Sequence, residues 1–178
     1  QYFLFVGALH PRKNISGLLK AFDAFKSLDK KDIKLVIVGG EMHKTGEMFE
    51  TYKDMRFKND VIFTGRIPTS ELHSVYGAAM ALTFVPFFEG FGIPVVEAMS
   101  AGVPVICSNT TSMPEVGGSA VLYADPVKIE QITEAMLKIS EDEGLRKSLI
   151  EKGFSQKEKF SWDETARLLW MSVERALQ

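Results

Sequence analysis

The chain contains six short runs that are apolar at nearly every position rather than at alternate ones: Phe3–Val6, Ile33–Val38, Val61–Thr64, Ala81–Val85, Val103–Cys107 and Ala120–Leu122. A strand with one wet face alternates apolar and polar residues, whereas a strand covered on both faces does not. The segments between the runs carry helical spacing. Ile15, Leu18, Leu19, Phe22 and Phe25 form one stripe of a helix. Ser70–Ala79 and Val95–Ala101 read as two more. Asp125-Pro126 reads as an N-cap and first-turn proline opening a helix through about Ile139. Ser161-Trp-Asp-Glu164 fits a capping box, and Leu169, Trp170, Val173 and Leu177 stripe the helix that follows. Strand and helix in alternation predict an α/β fold, a Rossmann-like open parallel sheet flanked by helices. In such sheets ligands sit beyond the carboxyl ends of the strands. The loops after Val6, Val38, Thr64, Val85 and Cys107 are therefore where chemistry is expected.

At 178 residues the chain has room for one compact domain, and 46% hydrophobic content supplies a core for it. A net charge of −2, with Lys and Arg spread along the chain in no basic tract longer than the pairs Arg12-Lys13 or Lys30-Lys31, gives no footprint for nucleic acid. The single cysteine, Cys107, excludes an internal disulfide and fits a reducing compartment. No apolar run approaches the roughly 20 residues needed to cross a bilayer. The stretch Gly40–Lys58 is polar and gives the weakest helix signal. Gln1 leads directly into the first apolar run, which reads as a segment cut from a longer polypeptide.

The loop after Val85 reads Pro86-Phe-Phe-Glu89-Gly90-Phe91-Gly92-Ile93-Pro94-Val95-Val96-Glu97. Its glycines allow close approach of a ligand to the backbone, and the N–H groups of Gly92, Ile93 and Val95 at a helix start would face an anion. Pro94 falls in the first turn, where its missing N–H costs little. Glu97 is out of place in an otherwise apolar helix and must reach solvent or hydrogen-bond donors; a cis-diol such as ribose would supply two. Taken alone, Glu97 reads as well as an exposed helical acid, and Glu89 as a solvated loop acid.

The two glutamates are separated by seven residues, and this Glu-x7-Glu pattern is similar to that of family-4-type glycosyltransferases with the GT-B fold. The resemblance runs through most of the chain: Val6-Gly7-Ala-Leu-His-Pro-Arg-Lys-Asn14 resembles the family's first strand and phosphate loop, and Ile37-Val-Gly-Gly40 its second strand end. Phe63-Thr-Gly-Arg-Ile-Pro68 resembles its base-binding loop, and Ser108-Asn109, Pro114–Gly118 and Phe160-Ser-Trp162 follow in order. The resemblance implies the carboxyl-terminal, nucleotide-sugar-binding half of a GT-B enzyme that transfers sugar with retention to an acceptor such as a growing polysaccharide or glycolipid. By the same resemblance Glu89 contacts the donor sugar, Glu97 holds the ribose diol, and the backbone of Gly90, Phe91, Gly92, Ile93 and Val95 holds diphosphate and sugar. Lys13 neutralises the leaving diphosphate, Gly7 belongs to the phosphate loop, and Arg66-Ile67 meets the base. Many relatives have Gly-Arg where this chain has Gly7-Ala8, so Arg12 is the substitute candidate, though it reads equally as a solvated arginine. His10 reads as a loop-packing residue, His43 and His73 receive no role, and Cys107 reads as a small core residue.

No Asp-x-Asp pair occurs, in line with the metal-independent chemistry of the family; no cofactor beyond the nucleotide-sugar substrate is implied. A dehydrogenase-type dinucleotide module is disfavoured because the first strand lacks Gly-x-Gly-x-x-Gly. A non-catalytic nucleotide- or sugar-binding module is the alternative. The family's architecture further implies a missing amino-terminal acceptor domain, little transfer by this chain alone, and a cytoplasmic enzyme, or one peripheral at the membrane as the full-length protein. Apolar surface bared near Trp162 or Trp170 would invite self-association.

Overall fold

The computed structural model describes residues 1–29, 31–40 and 46–177. Lys30 and His43 thus lie outside the described residues. Six strands form one parallel sheet: β1 (Tyr2–Val6), β2 (Lys34–Val38), β3 (Val61–Gly65), β4 (Ala81–Phe84), β5 (Val105–Ser108) and β6 (Leu122–Ala124), in the order β3-β2-β1-β4-β5-β6. The helices are α1 (Ile15–Leu28), α2 (Gly46–Asp54), α3 (Thr69–Gly77), α4 (Ile93–Ser100), α5 (Met113–Gly117), α6 (Ile129–Glu141), α7 (Glu143–Lys157) and α8 (Trp162–Ala176). Right-handed crossovers place α1 and α2 on one face and α3, α4 and α5 on the other. Packing agrees: α1 lies on α2 and α6, and α4 on α3, α5 and α7.

The continuously apolar runs are the strands because both faces are covered. Phe3, Leu4 and Phe5 are all buried; Phe3 meets Phe25 of α1 edge-on at 5.3 Å, and Phe5 stacks with Phe84 of β4 at 6.0 Å. Every residue of the predicted α1 stripe is buried. The order reverses direction between β1 and β4, which opens a crevice beyond their carboxyl ends.

Three expectations shift. Asp125-Pro126 does not open α6. The Asp125 carboxylate accepts the N–H of Val127 at 3.1 Å and its carbonyl that of Lys128 at 3.0 Å, so a turn intervenes and the helix begins at Ile129. Aspartate closing its own local turn has outcompeted capping. The last strand lies two residues later than its apolar run, because Ala120 N–H closes a turn onto Gly117 at 3.0 Å. Likewise Val103 N–H is taken by Ala98 at 2.9 Å, ending α4, so β5 starts at Val105. Helix α7, 15 residues long, has no counterpart in the sequence reading, since only Leu149, Gly153 and Gln156 are buried on it.

The Ser161 cap forms, its hydroxyl accepting the N–H of Glu164 at 3.1 Å. The helix it starts, α8, buries none of its residues, and Trp162 and Trp170 are 80% and 63% exposed. The apolar stripe of Leu169, Trp170 and Val173 therefore lies open along its length. Among the described residues no helix is long and apolar enough to cross a membrane.

Candidate functional site

Two loops meet at the crevice. The first follows β1, where a single 3₁₀ turn, Pro11–Lys13, is capped by His10, whose Nδ1 accepts the N–H of Arg12 at 3.2 Å. His10 thus packs the loop, as its sequence setting suggests. Asn14 then takes a left-handed conformation (φ 57°). Its side-chain amide donates to the carbonyls of Val85 at 3.1 Å and Pro126 at 2.7 Å. This buried residue ties the ends of β1, β4 and β6 together; the sequence reading gave it no role, although asparagine is one of the few residues that tolerates such a φ.

The second loop follows β4 and carries Glu89. Its carboxylate Oε2 accepts from the Lys13 ammonium and, at 2.9 Å, from Arg12 Nη1, which also donates to the Phe88 carbonyl at 3.1 Å. The Lys13 side chain is buried with its ammonium 4.6 Å from the centre of the Phe84 ring. Arg12 is therefore a partner of Glu89, with its side chain still 43% exposed. Burial alone would push the Glu89 carboxyl up; the two cations outweigh it and hold it below the ordinary carboxylate range. Burial also lowers Lys13 below the usual lysine value, and pairing with Glu89 does not fully restore it.

The pH dependence follows from the sign of the Glu89 shift. A carboxyl lowered on folding adds stability above its ordinary value near 4.5, lost as pH falls through the folded value. Wild type should therefore exceed Glu89→Gln in urea midpoint at about pH 6, with the gap closing as pH falls through the folded value of Glu89, below which both side chains are neutral. A gap independent of pH would overturn this.

The Glu89 loop is braced from the β5–α5 connection. Thr111 Oγ1 accepts the Glu89 N–H at 3.3 Å, and the Ser112 hydroxyl reaches the carbonyls of Glu89 (2.8 Å) and Phe91 (2.9 Å), donating to one at a time. Neither residue was picked out by sequence. Gly92 caps α4 with φ 112°, and Pro94 stands in its first turn as expected. One predicted amide is spent: the Val95 N–H donates to the Gly92 carbonyl at 2.9 Å and cannot serve an anion. The N–H groups of Gly90, Phe91, Gly92 and Ile93 have no protein acceptor among the described residues. The Phe91 ring packs edge-on against Phe160 at 5.5 Å.

Glu97 is half-buried, one turn into α4, and accepts the hydroxyl of Tyr76 at 2.8 Å. It is neither solvated nor isolated. Arg66 and Ile67 follow β3: Arg66 is exposed with its stem beside Gly40, and Ile67 packs partly into the core. Gly7 donates its N–H to Val38 at 2.9 Å, holding the first loop against β2. His73 is exposed on α3, and Cys107 is fully buried, its thiol pushed up by burial. Among the described residues no three His, Cys, Asp or Glu side chains cluster to hold a metal ion. A cleft of about 510 Å³ opens on the α1 side, between Arg12, Lys20, Phe87 and Val127; of the predicted site it includes Arg12 alone. Two cations, a glycine loop with uncommitted amides and a paired carboxylate thus face one crevice, an arrangement suited to an anionic ligand.

The family described as glycosyl transferases group 1 matches residues 1–156. The chain belongs to this family. It is 35% identical to the O-antigen chain mannosyltransferase B of Escherichia coli over 162 residues, 91% of this chain and 42% of that protein. It is 30% identical to the serotype-specific mannosyltransferase WbdA of Escherichia coli over 182 residues, 100% of this chain and 22% of that protein. The chain thus spans less than half the length of these curated relatives. Among solved structures, the carboxyl-terminal domain of a group 1 glycosyl transferase (LpcC) from Francisella tularensis superposes with a TM-score of 0.78 at 21% identity, covering 89% of this chain and 84% of that one. This group 1 glycosyltransferase domain accordingly has the fold of the carboxyl-terminal half of a GT-B enzyme.

Proposed function

We propose that this domain binds the nucleotide-diphosphate sugar of a retaining glycosyltransferase. The observation that carries the reading is the meeting of Lys13 and Glu89, 76 residues apart, at the crevice between β1 and β4 beside the open amides leading into α4. Breaking the bond between sugar and diphosphate builds negative charge on the phosphate and positive charge on the anomeric carbon. A fixed cation at the phosphate stabilises that state more than the ground state. Lys13 supplies it, Arg12 adds a second in place of the arginine that Ala8 lacks, and the amides from Gly90 to Ile93 face the phosphate oxygens. Glu89 then lies where the donor sugar joins the diphosphate, Glu97 takes the ribose diol, and the Arg66-Ile67 backbone takes the base.

The two mannosyltransferase relatives favour mannose as the sugar and a polysaccharide or glycolipid as acceptor. The acceptor is held by an amino-terminal domain of the same polypeptide, against which the open stripe of α8 packs, and the enzyme works in the cytoplasm. Titration with UDP, GDP and ADP sugars, with Glu97→Ala as control, tests the reading. One base should bind best, and Glu97→Ala should weaken it about 10- to 100-fold by removing a charged acceptor of two hydrogen bonds. Equal binding by the variant would remove the ribose assignment. The chain alone should transfer no sugar.

A further inference from the structure

Glu97 reaches the crevice with only one of its carboxylate oxygens engaged by the protein. Oε2 accepts the Tyr76 hydroxyl at 2.8 Å, and Oε1 has no protein donor among the described residues. Tyr76 is 2% exposed, so its ring cannot swing. The turn that carries it is anchored as well. The Tyr2 hydroxyl donates to the Val75 carbonyl at 2.6 Å, and the Ala79 N–H to the Tyr76 carbonyl at 2.8 Å, fixing the end of α3 to β1. A phenol has one proton to donate, and here it goes to the carboxylate. Burial, and then the charge of Glu97, raise the Tyr76 hydroxyl above its ordinary value, so it remains a donor.

We propose that Tyr76 is the positioning residue of the nucleotide site: by holding Oε2 it fixes the plane of the Glu97 carboxylate and turns Oε1 to the ribose diol. This rests on the ribose assignment of Glu97 made above. A glutamate side chain carries several rotors, and each rotor frozen before binding is a cost the ligand does not meet. Tyr76 therefore contributes affinity for ligands that own a vicinal diol and none for ligands that lack it. A tyrosine that merely fills the gap between α3 and α4 would affect both kinds of ligand alike.

The test uses isothermal titration of the protein with GDP and UDP, and with their 2′,3′-dideoxy counterparts. For whichever base binds, Tyr76→Phe should weaken the ribonucleotide about tenfold while changing the dideoxy compound less than about twofold. Binding of the dideoxy compound also shows that the variant is folded. Adding Tyr76→Phe to Glu97→Ala should cost nothing beyond Glu97→Ala alone, because alanine removes the acceptor through which Tyr76 acts. Replacing Tyr76 by 3-fluorotyrosine, which keeps ring and hydroxyl, should restore the ribonucleotide affinity. Equal losses for ribo and dideoxy ligands, or no loss in Tyr76→Phe while Glu97→Gln loses affinity, would overturn the positioning role and leave the ribose assignment standing. Full ribonucleotide affinity in Glu97→Gln would overturn both.

Discussion

On the proposed donor reading, replacing Lys13 by methionine in the full-length enzyme is expected to cut sugar transfer about 10²- to 10³-fold, the usual cost of removing a group that stabilises charge in the transition state. Methionine keeps an unbranched apolar stem over the Phe84 ring, where the ammonium now lies at 4.6 Å, and removes only the charge. Because the phosphate becomes more negative as the glycosidic bond breaks, most of the loss should fall on kcat and a smaller part on the donor KM. A rise in KM with kcat unchanged would mean that Lys13 only anchors the ground state. The melting temperature should fall little, since Glu89 keeps Arg12 at 2.9 Å.

The sheet could be read from the sequence because its strands are covered on both faces, which leaves runs such as Tyr2–Val6 and 35–38 apolar throughout. The α1 stripe was equally plain. Helix α7 was not, since it meets α4 through Gly153 beside Met99 and α5 through Gln156, whose amide donates to the carbonyls of Glu115 and Val116, as much as it packs through Leu149. The site divides in the same way. Glycine loop, proline and paired glutamates are local, so their spacing displays them. The joining of Lys13 to Glu89 depends on β1 and β4 being neighbours, and strand order is not a local property. Tyr76, in the run Val75-Tyr-Gly-Ala-Ala79, received no role from sequence; its hydroxyl meets Glu97 only because α3 lies against α4. Asp125 misled because capping a helix and closing a turn use the same side-chain chemistry.

Glu89 has a second consequence for any mutational study of the donor site. The Lys13 ammonium is buried, and burial works against its charge; Glu89 is the group that opposes this. On the proposed donor reading, removing Glu89 therefore alters the sugar contact and the charge state of Lys13, the cation assigned to the diphosphate, together. Glutamine at 89 keeps the shape and loses the charge, so its effect on transfer is not a measure of the sugar contact alone. On the same reading the diphosphate would share Lys13 and Arg12 with a carboxylate already in place, so donor binding would exchange one ion pair for another rather than add a new one.

The loops that carry these cations rest on a close approach between two strand ends, and Gly39→Ala is expected to destabilise the protein by about 3–5 kcal/mol, combining backbone strain with overpacking. A Cβ at Gly39 would stand 1.9 Å from the Gly7 carbonyl oxygen, a backbone atom held by the Gly7 N–H bond to Val38 at 2.9 Å. The φ of 154° at Gly39 adds strain for any L-residue. Gly7 offers the contrast. Its φ is 149°, but a Cβ there would meet only side-chain atoms at ordinary contact distance, the Phe5 ring at 3.6 Å and Lys13 Cε at 3.9 Å. Gly7→Ala should therefore cost only about 1–2 kcal/mol, the strain alone. Urea unfolding of both variants decides the matter, and equal losses would mean that the approach of the two loops is not what Gly39 provides. The function should follow the same order. The N–H of Leu9 donates to the Gly40 carbonyl at 3.0 Å, so pushing β2 away from Gly7 displaces the segment that aims Arg12 and Lys13 into the crevice. Nucleotide affinity is then expected to drop further in Gly39→Ala than in Gly7→Ala, although Gly7 is the residue nearer the phosphate loop.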